Sequence, residues 1–255
     1  MVMLGAARPP EGMRIYAVGD VHGCTAQLRE VHGMIGDHLE AAPVADWRIV
    51  HVGDYVDRGP DSRGTIETLA ALASDPRIVC LRGNHDQYLM DFLDDPDAGS
   101  FDAWLFNGGE TTLRDYGAEP GEAVLVGPRR RRELHSMLGA AMPAAHRAFL
   151  EGLRIGVRLG DYFFAHAGVR PGTPIEAQNE RDLTWIREPF LSSSDDFGAV
   201  VVHGHTPSDE IVVRRNRIGI DTGAVFGGRL SCLVLEGTRW GVLGKSGVEA
   251  LPAPI

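Results

Sequence analysis

Residues 53–59 read Gly53-Asp54-Tyr55-Val56-Asp57-Arg58-Gly59, and Asp54 closes the apolar run Arg48–Asp54 (RIVHVGD). A short run rich in Val and Ile reads as a buried strand. Glycines on both sides permit a tight turn, so two carboxylates and a guanidinium arrive together at one strand end. Asp54 is placed to bridge two metal ions, Asp57 is offset so that it can orient another group, and Arg58 can fork onto phosphate oxygens. The bland alternative is a surface Asp–Arg ion pair in a turn, which accounts for only part of the string.

Working outward, further runs have the same form: Arg14–Asp20 (RIYAVGD), Arg77–Asn84 (RIVCLRGN), Tyr162–His166 (YFFAH), Ala199–His205 (AVVVHGH) and Arg217–Asp221 (RIGID). Helical patterns separate them. Pro60-Asp61-Ser62 opens one, with Ile66, Leu69, Ala70 and Ala73 at helical spacing before Pro76; another runs from about Thr25 to His38, with Leu28, Val31 and Ile35 inward. Strand–helix alternation predicts an α/β fold with partly parallel sheets and helices outside. Arg217–Leu243 carries strands without a helix and is expected to form a hairpin or meander. The helical stretch from Gln87 to Gly152, broken by Pro, Gly and the basic run Arg129–Arg132, reads as an insertion packing over the core.

Asp20, Asp54, Asn84, His166 and His205 each fall at or just beyond the end of a run. Ligands of open α/β sheets collect where the carboxyl ends of strands converge, so these positions are expected to meet. In Gly19-Asp20-Val21-His22-Gly23, Asp20 and His22 can reach one metal ion, or Asp20 can cap the next helix beside a solvated His22. In Gly83-Asn84-His85-Asp86, Asn84 offers a neutral oxygen ligand, and His85 is a candidate general acid whose tautomer Asp57 would fix. His166 and His205 supply nitrogen ligands to a chain otherwise short of them.

Together these strings resemble the phosphoprotein phosphatase branch of the calcineurin-like metallophosphoesterases, in particular the bacterial and phage lambda type Ser/Thr protein phosphatases. The signatures GDxHG, GDxVDRG and GNH[ED] stand in order, followed by Ala165-His166-Ala167-Gly168, Thr184-Trp185-Ile186-Arg187-Glu188 and His203-Gly204-His205-Thr206-Pro207. Asp221-Thr222-Gly223-Ala224-Val225-Phe226 is similar to the phage lambda version, and the likeness extends from about Met13 to Leu235. The resemblance implies a β-sandwich of mixed sheets flanked by helices, one domain over residues 13–245 with 87–152 as a helical cap. It assigns Asp20, His22 and Asp54 to one divalent metal, and Asp54, Asn84, His166 and His205 to a second. Asp57 and His85 become an acid dyad, with Arg58 and Arg187 on the phosphate; His203 and Arg170 are weaker candidates. The implied reaction is in-line attack of a metal-bridging hydroxide on a phosphorylated protein or small phosphoester. Mn is the first expectation for the metals and Fe or Zn the next, because the donors are O and N without thiolate. The rival is a symmetrical bis(5'-nucleosyl)-tetraphosphatase, towards which Asp86 leans, since protein phosphatases usually carry Glu there; Asp57 leans the other way.

Composition narrows the setting. The 255 residues carry 25 basic and 35 acidic side chains, a formal net charge of −10. An acidic surface argues against nucleic acid or an anionic membrane as the main partner, yet not against a phosphoester, because bound metal ions reverse the local field. Cys24, Cys80 and Cys232 form no CxxC pair, Met1–Gly12 is no signal peptide, and no apolar run is long enough to span a bilayer. Reduced thiols in a cytoplasmic protein, with no obligatory regulatory subunit, are expected.

Overall fold

The computed structural model describes residues 2–121 and 126–254. Strands β1 (Met13–Val18), β2 (Asp46–His51), β3 (Ile78–Cys80), β4 (Gly156–Leu159), β5 (Tyr162–Ala165), β6 (Val200–His203), β7 (Val212–Val213), β8 (Arg217–Gly219), β9 (Cys232–Glu236), β10 (Arg239–Gly244) and β11 (Gly247–Ala250) form two sheets. One runs β11-β10-β9-β1-β2-β3 and the other β4-β5-β6-β8-β7. Both are mixed: β1, β2 and β3 are parallel, as are β5, β6 and β8, while β9–β11 and the edges β4 and β7 are antiparallel. The expected sandwich of mixed sheets is therefore present.

Side chains alternate across each strand, and β1 shows why its run reads apolar throughout. Ile15 and Ala17 face the second sheet, where Val50, Val52, Phe164, Val202, Ile218 and Leu233 complete a buried layer. Tyr16 and Val18 face the other way, into a core shared with the helices. That outer layer contains α1 (Thr25–Ala41), α2 (Ser62–Ala70) and α3 (Asn84–Asp94). Asp61 caps α2 by accepting from Gly64 N–H at 2.9 Å, and the helix ends at Ala70, ahead of Pro76. Leu4 and Ala7, ahead of β1, also pack between the sheets.

Between β3 and β4 lie α4 (Phe101–Trp104), α5 (Glu110–Asp115), α6 (Pro128–Ala141) and α7 (Ala144–Glu151), with residues 122–125 of the expected insertion outside the described residues. Phe92, Trp104, Leu113, Leu134 and Phe149 join the same core as Tyr16 and Val18, so this helical segment is continuous with the sheet's outer face. The basic run Arg129–Arg132 is paired on its surface, with Glu133, Asp102 and Asp97. One expectation needs adjusting. Arg217–Leu243 is not one hairpin: β8 belongs to the second sheet, and the chain then crosses to the first for the β9–β11 meander. No helix of the described residues is long and apolar enough to cross a membrane.

The last helix, α8 (Glu180–Trp185), lies against the second sheet's outer face through Leu183 and Ile186. Leu233, fully buried between the sheets, tests this layer. Leu233→Ala is expected to cost about 2–5 kcal/mol of stability in urea unfolding, through lost burial and the cavity left behind; a loss under about 1 kcal/mol would show that the layer repacks freely.

Candidate metal centre

The carboxyl ends of β1, β2, β3, β5 and β6 converge, and each contributes a polar group. Asp20 and His22 follow β1, Asp54 follows β2, Asn84 and His85 start α3 after β3, His166 follows β5 and His205 follows β6. All are buried. The non-glycine residues with positive φ among the described residues are His22, Asp54, Asp57, Arg58 and His205, at 43°, 52°, 72°, 67° and 65°. Such conformations cost on the order of 1–3 kcal/mol each and persist where surroundings over-determine them; here they are confined to one place.

Two motif glycines have a direct reason. A Cβ on Gly83 would stand 2.0 Å from Asp54 Oδ1, and one on Gly204 1.9 Å from Asp20 Oδ1. The carboxylates fill the space that a side chain would need.

The protons locate the lone pairs. His22 Nδ1 is 2.8 Å from the Val56 carbonyl and His166 Nδ1 is 3.0 Å from that of Val52. Carbonyl oxygens only accept, so both imidazoles carry hydrogen on Nδ1 and a lone pair on Nε2. Those Nε2 atoms lie 3.5 and 3.4 Å from the same atom, Asp54 Oδ2. His166 Nε2 is also 3.0 Å, and His205 Nδ1 2.8 Å, from Asn84 Oδ1. At Asp54 Oδ2 and at the His166–Asn84 contact electron pairs thus converge on electron pairs, an arrangement that a cation stabilises, whereas His205 Nδ1–H would donate to Asn84 Oδ1. On the His22 side a cation is visible in part: Arg58 Nη1 donates to Nε2 at 2.8 Å. Asp20 Oδ1 and His205 Nε2 are buried without a hydrogen-bond partner. Burial pushes His22 down to about 3 and His205 to about 2, so both imidazoles are neutral near neutral pH. Burial, with the Asp221 and Asp54 carboxylates alongside, pushes Asp20 well above the usual carboxylate range. Crowded carboxylates among neutral imidazoles make a donor set that fits divalent metal ions.

His22, Asp54 and His85 form one group with donor atoms within 4.8 Å of one another, and Asp54, His166 and His205 form a second. Asp54 belongs to both groups. Asp20 stands outside the first group and His85 inside it; Asp20 Oδ2 instead accepts from the His205 N–H at 2.9 Å. His85 Nδ1 donates to Asp57 Oδ2 at 2.7 Å. Burial works against protonation of His85, but the Asp54 charge and the Asp57 hydrogen bond outweigh it and raise its pKa. His203 turns its Nδ1 to the Gly204 carbonyl and its ring to Phe190. Arg170 is held in a two-pronged pair with Asp182, while Arg187 is exposed with Nη2 3.3 Å from the His205 carbonyl.

Two findings lay outside the sequence reading. Trp104 Nε1 and Thr112 Oγ1 both donate to Asp57, so the helical segment reaches the site itself. Nothing local marks them, although a buried Trp implies a partner for its N–H. Asp86 is engaged by the backbone: its carboxylate accepts from the N–H groups of Gly83, Asp54 and Tyr55 at 2.8–2.9 Å. It shapes the turn that carries Asp54. A cleft of about 1010 Å³ adjoins the centre, lined by Tyr88, Trp185, Arg181 and Arg187 among others.

Residues 13–229 match the family model for calcineurin-like phosphoesterases. The chain is 31% identical to serine/threonine-protein phosphatase 1 of Salmonella typhimurium, over 85% of this chain and 89% of that one. It is 30% identical to a symmetrical bis(5'-nucleosyl)-tetraphosphatase of Aromatoleum aromaticum, over 89% and 95%. The solved structure of a cold-active protein tyrosine phosphatase superposes with a TM-score of 0.59 at 16% identity, covering 96% and 81%, a likeness of fold alone.

Replacing the shared carboxylate tests the centre. Asp54→Asn is expected to lose at least one equivalent of divalent metal relative to the unsubstituted protein after reconstitution and dialysis, measured by elemental analysis. Full retention would remove the bridging role.

Proposed function

The chain belongs to the calcineurin-like phosphoesterases, a family of hydrolases, and we propose that it is a metal-dependent phosphomonoesterase acting on phosphoserine and phosphothreonine in proteins. In this reading Asp20, His22 and Asp54 hold one divalent ion, and Asp54, Asn84, His166 and His205 hold the other. Mn is the first choice, with Fe or Zn also suited to these donors. When bound, such a pair of ions makes a nucleophile from water at neutral pH and neutralises phosphoryl charge.

The protein's own groups do the rest. Arg58 and Arg187 flank the two ligand groups, and a guanidinium there opposes charge on the phosphoryl oxygens. Arg58 reaches the site beneath the exposed Phe226 ring, 5.6 Å from its centroid. His85 presents Nε2 to the first ligand group while Nδ1–H is tied to Asp57. The Asp57 carboxylate on Nδ1 favours the protonated ring, as a general acid requires.

The observation that carries the reading is this buried His85–Asp57 pair. Serine and threonine leave as alkoxides that need a proton, whereas a nucleotide leaves as a stable phosphate anion. The relatives named tetraphosphatases, and the arginines of the adjoining cleft, favour a second reading: symmetrical cleavage of dinucleoside polyphosphates. We further propose that residues 13–245 act as one domain, with 87–152 shaping access to the centre.

Rates of the Mn-reconstituted protein on a phosphoserine peptide, p-nitrophenyl phosphate and diadenosine tetraphosphate separate the two. The highest kcat/KM is expected for the phosphopeptide; a strong preference for the dinucleotide, cleaved to two diphosphates, would establish the second reading. His85→Asn is expected to keep its metal yet lose more turnover with phosphoserine than with p-nitrophenyl phosphate, whose leaving group needs no proton. Equal losses would count against His85 as the acid.

A further inference from the structure

Asp57 and Arg58 are consecutive residues in the left-handed region, and one short segment grips both. Trp104 Nε1 lies 2.9 Å from Asp57 Oδ2 and 3.1 Å from Oδ1. The Thr112 hydroxyl donates to Oδ1 at 2.6 Å and accepts from the Asp57 backbone N–H at 2.9 Å. The Arg58 N–H donates to the Gly108 carbonyl at 3.2 Å. With His85 on Oδ2, the fully buried carboxylate has both oxygens engaged, and rotating it would break several bonds at once.

The segment is shaped for this approach. Leu105–Gly109 joins α4 to α5 through a kink at Gly108, whose φ of 103° lies in the left-handed region that favours glycine. A Cβ on Gly108 would stand 2.7 Å from Arg58 Cγ, and one on Gly109 2.5 Å from the Trp104 indole. The Asn107-Gly108-Gly109 string therefore lets the turn close on Arg58 and on Trp104. A buried Trp that merely fills the core needs any acceptor for its N–H. Here the acceptor is the carboxylate that already holds His85.

We propose that Trp104 and Thr112 are positioning residues of the general acid: they lock the Asp57 carboxylate, which in turn fixes the ring and tautomer of His85, while Gly108 sets Arg58. The inference rests on the reading of His85 as the acid. It makes the segment between β3 and β4 part of the proton-delivery machinery, beyond a cover over the centre.

Trp104→Phe keeps an aromatic ring in place and removes the donor; Thr112→Val keeps the shape and removes the hydroxyl. In the full-length, Mn-reconstituted protein each is expected to lower kcat on a phosphoserine peptide about 10–100-fold, part of the roughly 10²–10⁴-fold a positioned acid supplies. KM and metal content should hardly change, and p-nitrophenyl phosphate turnover should fall less than about threefold. A second readout needs neither turnover nor metal. In ¹H–¹⁵N spectra of the metal-free protein, the Trp104 indole N–H should resonate downfield, exchange slowly with solvent and shift in Thr112→Val. If His85→Asn discriminates between the two substrates and neither variant does, the positioning role is overturned while the acid stands. If His85→Asn itself fails to discriminate, both fall. Equal losses on the two substrates, or an indole N–H that exchanges freely, would reduce Trp104 to a packing residue and overturn the proposal.

Discussion

The structure turns on Asp54 Oδ2, the atom on which two imidazole lone pairs converge. Like-charged density cannot be gathered there without compensation, and every local oddity of the centre supports the gathering. Asp54 itself is left-handed, its other oxygen is tied to the His85 N–H at 2.9 Å, and its own N–H is held by Asp86. Gly83 lacks a side chain because that oxygen fills the space. The sandwich beneath serves as a rigid frame: parallel strands stop at a common level, and their following turns carry one or two donors each.

Strain and satisfaction are distributed unevenly. Left-handed residues crowd the centre, yet the backbone N–H groups of Asp57 and Arg58 donate to Thr112 and Gly108 of a helical segment far along the chain. Catalytic loops tolerate such conformations when distant elements hold them. The same segment contributes Phe101, Trp104 and Leu113 to the core beneath it, so its grip on the loop is anchored in apolar burial.

Most of this was legible in the sequence because the motifs are local. Apolar runs ending in Asp, Asn or His announce both the strand and its donor, and β1, β2, β5 and β6 lie where those runs fall. The grouping of Asp54 with His166 and His205 follows from that convergence. The edge strands β4 and β7 escaped, since an edge of two to four half-buried residues has no clear period. The crossing from β8 to β9 between sheets was equally invisible, because both strands are simply short and apolar. Trp104 and Thr112 were hidden for a different reason: their partner is some fifty residues away, and hydrogen bonds across that separation leave no local pattern. The hold of Asp86 on three backbone N–H groups was hidden as well, because a motif position does not reveal which groups its carboxylate accepts from.

The placement of β1 between β2 and β9 has a consequence for biosynthesis. Its pairing with β2 is available early, but its other edge waits for Cys232–Glu236. At about 5–20 residues per second, that strand edge stays open for roughly 10–40 s after Val18 is made. The chain meanwhile carries a nearly complete parallel half-sheet with an apolar face and an unpaired border, the geometry most prone to pairing with a neighbour. His205 and the β9–β11 meander arrive almost together, so the last donor of the centre and the strand that seals the sheet are delivered within one short stretch of synthesis.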